Sequence, residues 1–150
     1  MNMNNYCKKG FTLVEILIVI AIFGIVGSAA SVMFNGTRNR VSLEDAQASV
    51  INALERARSR AATGVGTEDH GVCIDGNKLI AFEGNSCPSP TTDNSTDLAP
   101  NISVTNSPAV PVIFNRLSAT SSADTTFTIE NTITGSTTIV IVTKDGIIEK

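Results

Sequence analysis

The chain opens on a short polar segment and then enters a long apolar stretch. Residues 11–34 read FTLVEILIVIAIFGIVGSAASVMF, in which Glu15 is the only charged residue. A helix of this length would reach about 36 Å, enough to cross a hydrocarbon core of about 30 Å. Such a helix pairs its backbone polar groups internally, as a lipid environment requires. The pattern therefore predicts a membrane-spanning helix over residues 11–34.

After residue 34 the apolar positions become periodic. They recur three and four residues apart and comprise Leu43, Ala46, Val50, Leu54, Ala57 and Ala61. This spacing places them in one stripe on a helix, with charged residues on the other faces. The helix is therefore predicted to continue in water over residues 35–62. Gly64 and Gly66 follow, where glycine commonly stops a helix.

Beyond residue 62 the sequence changes to short β-rich runs separated by turn-forming residues. The runs are residues 72–74, 78–82, 102–105, 110–114, 125–130 and 137–143, and Asp75-Gly76-Asn77 favours a hairpin between the first two. Residues 83–100 have no apolar period and are predicted to form a long surface loop. The predicted fold class is α+β, with a small antiparallel sheet packed on the amphipathic helix.

Glu15 requires an explanation, because a carboxylate inside a bilayer costs about 3 kcal/mol on insertion scales. Residues 8–15 read KKGFTLVE. Together with the apolar stretch behind them, they resemble the cleavage signal of type IV pilins and pseudopilins. The resemblance implies that a prepilin peptidase cuts after Gly10. Phe11 would then become a methylated N-terminus, and Glu15 would help one subunit dock onto the next.

Two other interpretations of this segment remain open. An ordinary secretory signal could be cut near Ser28, but its apolar core of about 7 to 15 residues would be shorter and would lack an acid. A plain signal anchor would explain the span but not the junction of KKG with FTLVE. With the pilin-like interpretation, the predicted organisation is a leader at 1–10, an assembly helix at 11–34, its amphipathic continuation at 35–62 and a head at 63–150.

The resemblance also implies a location and partners. The leader would lie in the cytoplasm, the helix would cross the inner membrane once, and the head would lie outside. The implied partners are prepilin peptidase, the inner-membrane assembly platform, lipid before assembly, and other pilin or pseudopilin subunits. The head resembles fimbrial T and secretion H types through residues 54–61 (LERARSRA) and 145–147 (DGI). The implied function is a minor structural subunit of a type IV pilus or a type II secretion pseudopilus.

Cys73 and Cys87 lie close enough in sequence to bridge a short loop. If the head lies in an oxidising compartment, a disulfide between them is the natural interpretation. It would close a loop of about 15 residues, worth about 3 kcal/mol in the chain-entropy model. The alternative is a pair of buried free thiols.

A net charge of −3 argues against the whole protein being a nucleic-acid binder. An alternative function, a DNA-binding minor pilin of a DNA-uptake pilus, would use Arg56, Arg58 and Arg60. A solvated helix face, partly paired with residues such as Glu55, is the simpler interpretation of these arginines.

Candidate chemistry is sparse, so the sequence predicts neither an enzyme nor a cofactor. The only histidine, His70, lies beside Glu68 and Asp69 and is predicted to be a surface residue. Three residues of the predicted 83–100 loop could offer oxygens to calcium, namely Asp93, Asn94 and Asp97. They lack the spacing of an EF-hand, and a solvated loop is the preferred interpretation.

Overall fold

The computed structural model describes residues 11–87 and 92–150, with side chains described for residues 11–28, 39–87 and 94–150. One helix, α1, spans Leu13–Thr63. The strands that follow are β1 His70–Asp75, β2 Lys78–Glu83, β3 Thr92–Asp97, β4 Ile102–Ser107, β5 Val112–Phe114, β6 Thr125–Asn131, β7 Thr137–Val142 and β8 Ile148–Glu149. Backbone contacts divide the chain into an N-terminal unit that ends at Arg38 and a head unit, Asn39–Lys150.

In the N-terminal unit, every side chain of residues 11–28 is exposed, although nearly all of them are apolar. Among residues 11–87 and 92–150, no helix meets both the length and the hydropathy that a membrane span requires. The predicted membrane helix at 11–34 includes residues whose side chains lie outside the described set, and it stays a prediction.

In the head unit, α1 buries one stripe of apolar side chains. Five of the six predicted positions are buried and Leu43 is partly buried, which confirms the predicted stripe.

The predicted end of the helix is also confirmed. Gly64 has a φ of 67°, and its N–H donates to the carbonyl of Ala61 at 3.1 Å, while the Val65 N–H donates to Arg60 at 3.1 Å. These are the two bonds of a Schellman cap, which needs the left-handed conformation that glycine adopts without strain.

The strands that the structure describes form two antiparallel sheets, where the sequence predicted one. Sheet A has the order β3-β2-β1-β5, and sheet B has the order β4-β6-β7-β8. Both contribute to the core around the helix stripe, through Val72 and Phe114 from sheet A and Phe127 and Val140 from sheet B. Alternating apolar residues show that a strand has a buried face, but they do not reveal which strands pair. The number of sheets therefore could not be read from the pattern.

The predicted hairpin is confirmed, because β1 pairs antiparallel with β2 around Gly76. The pairing runs from His70 opposite Glu83 to Asp75 opposite Lys78.

The prediction of a continuous loop over 83–100 is wrong, because this region contains β3, which pairs antiparallel with β2. β3 is an edge strand without apolar side chains. Such a strand is held in the sheet by its backbone hydrogen bonds to the neighbouring strand, so it can form without a hydrophobic period in its sequence.

The second face of sheet A carries a smaller apolar cluster of Cys73, Ile80 and Phe82, against which Cys87 and Ile113 pack. A disulfide joins Cys73 to Cys87. The cross-link therefore ties the segment after β2 to the centre of sheet A, on the face turned away from the main core.

Candidate processing and assembly site

Thr12 and Glu15 define the start of α1. The Glu15 N–H donates to Thr12 Oγ1 at 3.2 Å, so Thr12 occupies the N-cap position and Glu15 the third helical position. Thr-x-x-Glu is the spacing of a capping box. A carboxylate in the first turn is also favoured by the positive end of the helix dipole. The N-cap at Thr12 thus places Glu15 in the first turn of α1.

The surroundings of Glu15 are apolar. It lies in a groove on the helix surface with Phe11, Ile16, Val19 and Ile20. Within the described part of the chain, its carboxylate has no hydrogen bond or ion pair. An acid in this setting can attract a cation from another molecule, because its own described neighbours supply none.

Phe11 is 81% exposed and therefore accessible. Gly10, on the other side of the predicted cleavage point, lies outside the described residues. The roles predicted for Gly10, Phe11 and Glu15 consequently stand on the sequence motif together with the described environment of the last two.

Residues 5–31 match the family model of the prokaryotic N-terminal methylation motif. The chain carries a prepilin-type N-terminal motif. This motif is that of type IV pilins and pseudopilins, and it supports a pilin-like subunit that begins as a membrane-anchored precursor and is processed by prepilin peptidase. The match ends at residue 31, so it does not reach the head. No solved structure matches the chain.

The head type therefore stays a prediction, although an α+β architecture is consistent with a prepilin-type protein. The helix packs on antiparallel sheets, as the predicted fold class requires. Assembly with other pilin subunits is the general implication of the motif.

The three arginines proposed as a DNA contact do not line one surface. Arg56 borders a cavity on the side of β2 and β3. Arg58 borders a different groove, beside Ala119, and Arg60 is only partly exposed. Arg56 and Arg58 lie on different faces of α1, because residues two apart in sequence do not share a helix face.

The prediction that His70 is a surface residue is wrong. His70 is 0% exposed and begins β1, which lies between β2 and β5. Its Nε2 lies 2.7 Å from the carbonyl of Val65. A carbonyl oxygen only accepts hydrogen bonds, so Nε2 carries the proton. The charged residues beside it in the sequence indicated a solvent-exposed side chain, but the central position of β1 in the sheet buries the ring.

The three candidate calcium ligands lie on β3. The side chain of Asp93 is outside the described set, and Asp97 Oδ1 lies 3.8 Å from Lys78 Nζ. Asn94 and Asp97 are an odd number of residues apart, so they point to opposite faces of the strand. The described part of the chain brings no three acidic, histidine or cysteine side chains together as a metal site.

One polar cluster had no signal in the sequence. The Glu83 carboxylate accepts hydrogen bonds from the N–H groups of Thr67 at 2.7 Å and Glu68 at 3.2 Å. These bonds, from Thr67 first, lower the pKa of Glu83 below its ordinary value of 4.5. Arg116 donates to the carbonyls of Gly64 at 2.9 Å and Gly66 at 3.2 Å. Together these contacts fix the loop after α1.

Proposed function

We propose that this protein is a minor structural subunit of a type IV pilus or a type II secretion pseudopilus. The observation that carries the proposal is the environment of Glu15. It is the one acid in an otherwise apolar helix segment, and it has no partner among the described residues. Its partner would come from a second subunit.

The partner we propose is the amino group that cleavage after Gly10 would create at Phe11. N-methylation leaves this group a basic amine, so it can carry the positive charge that Glu15 attracts. Between packed apolar helices the effective dielectric constant is low, which strengthens the attraction and penalises either charge when it is alone. The pair would therefore favour one register between neighbouring subunits.

Before assembly, residues 11–34 would lie in the inner membrane, with the leader in the cytoplasm and the head outside. The exposed apolar side chains of residues 11–28 support this proposal, because exposure of each Leu, Ile, Val or Phe to water costs about 1.5 to 3 kcal/mol. Within a filament, neighbouring helices would replace the lipid around these side chains. The assembly platform would move the subunit between the two environments.

Binding of DNA through Arg56, Arg58 and Arg60 has weaker support, because Arg56 and Arg58 border separate grooves. A gel shift with the full chain in detergent tests it. Salt-sensitive binding would favour this second function, since contacts to phosphates release counterions.

The assembly role is tested by Glu15→Ala, with Glu55→Ala as the control. Glu55 is an exposed glutamate of the same helix, in the head unit. Removing one partner of a buried ion pair costs about 3 to 5 kcal/mol. Incorporation into filaments should therefore fall about 100-fold or more for Glu15→Ala, and cleavage should continue. Quantitative immunoblots of sheared filaments measure both variants. Wild-type incorporation of the Glu15→Ala subunit would contradict the proposal.

A further inference from the structure

A small cavity lies between α1 and the outer strands of sheet A, entirely within the head unit. Its volume is about 160 Å³. Polar side chains form its walls and apolar ones its floor, and those that matter here are Asn52, Arg56, Asn94, Thr96, Leu79 and Ala81. The proposed filament contacts do not use it.

The fold explains why polar groups converge there. Asn52 and Arg56 are one helical turn apart, so they lie on the same face of α1. On β3, Asn94 pairs with Ala81 and Thr96 pairs with Leu79. Residues two apart share a face of a strand. Asn94 and Thr96 are therefore held opposite the helix residues.

The four polar side chains named above are exposed to solvent. Asn52, Arg56, Asn94 and Thr96 make no side-chain hydrogen bond or ion pair to any residue that the structure describes. Among the described residues that line the cavity, Arg56 is the only charged one. Small ligands bind in concave sites where a few polar groups converge.

The ligand chemistry follows from these groups. The guanidinium of Arg56 presents a fork of donors that matches a carboxylate. The amides of Asn52 and Asn94 and the Thr96 hydroxyl can each donate and accept, as sugar hydroxyls require. The cavity volume of about 160 Å³ equals that of about five water molecules in the liquid, which is room for one small ring. We propose that this cavity binds a carboxylate-bearing sugar, with the carboxylate on Arg56 and the ring hydroxyls on the amides and Thr96.

The test is an NMR titration of the full chain, labelled with ¹⁵N and held in a zwitterionic detergent, with D-glucuronate. The expected result is saturable shifts at the amides of Asn94 and Thr96. D-glucose, acetate and inorganic phosphate are titrated in parallel and should each bind at least about tenfold more weakly. Arg56→Gln removes the charged hydrogen bonds to the carboxylate and should therefore weaken glucuronate binding about tenfold or more.

Arg58→Gln is the matched control, since Arg58 is an exposed arginine of the same helix segment that borders a different groove. It should bind glucuronate like the wild type. Asn94→Asp provides a second variant, because a carboxylate opposite Arg56 should repel the ligand and abolish the shifts. The proposal is overturned if glucuronate produces no saturable shift, or if glucose, acetate or phosphate binds as well. Equal losses in Arg56→Gln and Arg58→Gln would overturn it too.

Discussion

Leu17 and Leu54 lie in the same helix and differ completely in their surroundings. Leu17 is 58% exposed, and its apolar neighbours are exposed to a similar extent, whereas Leu54 is 0% exposed. Around Leu54 the apolar residues form one stripe, and the sheets of the head cover it. Around Leu17 they occur on all sides, which is typical of a helix that other molecules or lipid surround.

We infer from this difference that one continuous helix serves two separate interactions. The segment in the head unit stabilises the fold of its own chain. The segment before it has apolar surface on every side and one acid. We infer that lipid and then other subunits cover the apolar surface, and that the acid finds its partner only on another subunit. Variants in the two segments should therefore affect different properties, folding in one case and assembly in the other.

The largest effect on folding is expected from Leu54→Ala, compared with Leu17→Ala. Loss of a fully buried leucine leaves a cavity and costs about 3 to 4 kcal/mol. Hydrogen exchange at Phe127 and Ile129 in β6, measured on the full chain in detergent, should accelerate by about 100-fold or more. Leu17→Ala should change it by less than about threefold. Similar acceleration in both variants would remove the distinction between the segments.

A slightly smaller effect is expected from removing the disulfide with Cys73→Ala and Cys87→Ala, in a chain that also carries Cys7→Ser. The bridge closes a loop with a sequence separation of 14, so its loss should lower the free energy of unfolding of the head by about 3 kcal/mol. Exchange in β1 and β2 should accelerate, while exchange around Leu17 stays unchanged. Unchanged protection of β1 would show that the cross-link does not stabilise the head.

The smallest effect is expected from Glu83→Gln, which weakens the contacts that fix the loop after α1. The folded-state pKa of Glu83 is lowered by the N–H groups of Thr67 and Glu68. Its contribution to stability is therefore present above the unfolded pKa and is lost as the pH falls through the folded one. The thermal midpoint of the wild type should exceed that of Glu83→Gln at neutral pH, and the difference should shrink below about pH 4.5.

Glu130→Gln, an exposed glutamate of β6, is the control for this measurement and should follow the wild type throughout. A difference between wild type and Glu83→Gln that grows on acidification would contradict the assigned role, because the sign of the linkage would be reversed.

Much of the helix could be predicted because its signals are local. The spacing from Leu43 to Ala61 reports a buried stripe directly, and Gly64 provides the stop that the Schellman cap requires. The Asp-Gly turn before Asn77 likewise predicted the first hairpin. The motif around Gly10, Phe11 and Glu15 is local in the same sense, since eight consecutive residues carry it.

Features that depend on distant pairing could not be predicted. β3 has no apolar pattern and exists because β2 offers a free edge. His70 is buried because strands from later in the chain flank it. The Glu83 contacts and the cavity beside Arg56 each join residues far apart in sequence. In every case the missing information was which segments become neighbours.

We propose that the exposed apolar segment belongs to an assembly subunit, which cleavage after Gly10 releases from its leader. Mass spectrometry of the membrane-extracted chain, expressed with and without prepilin peptidase, tests it most directly. With the peptidase, we predict a first residue of Phe11 that carries one methyl group; without it, the leader should remain. A chain that keeps Met1 in the presence of the peptidase, or that begins near Ser31, would contradict the account.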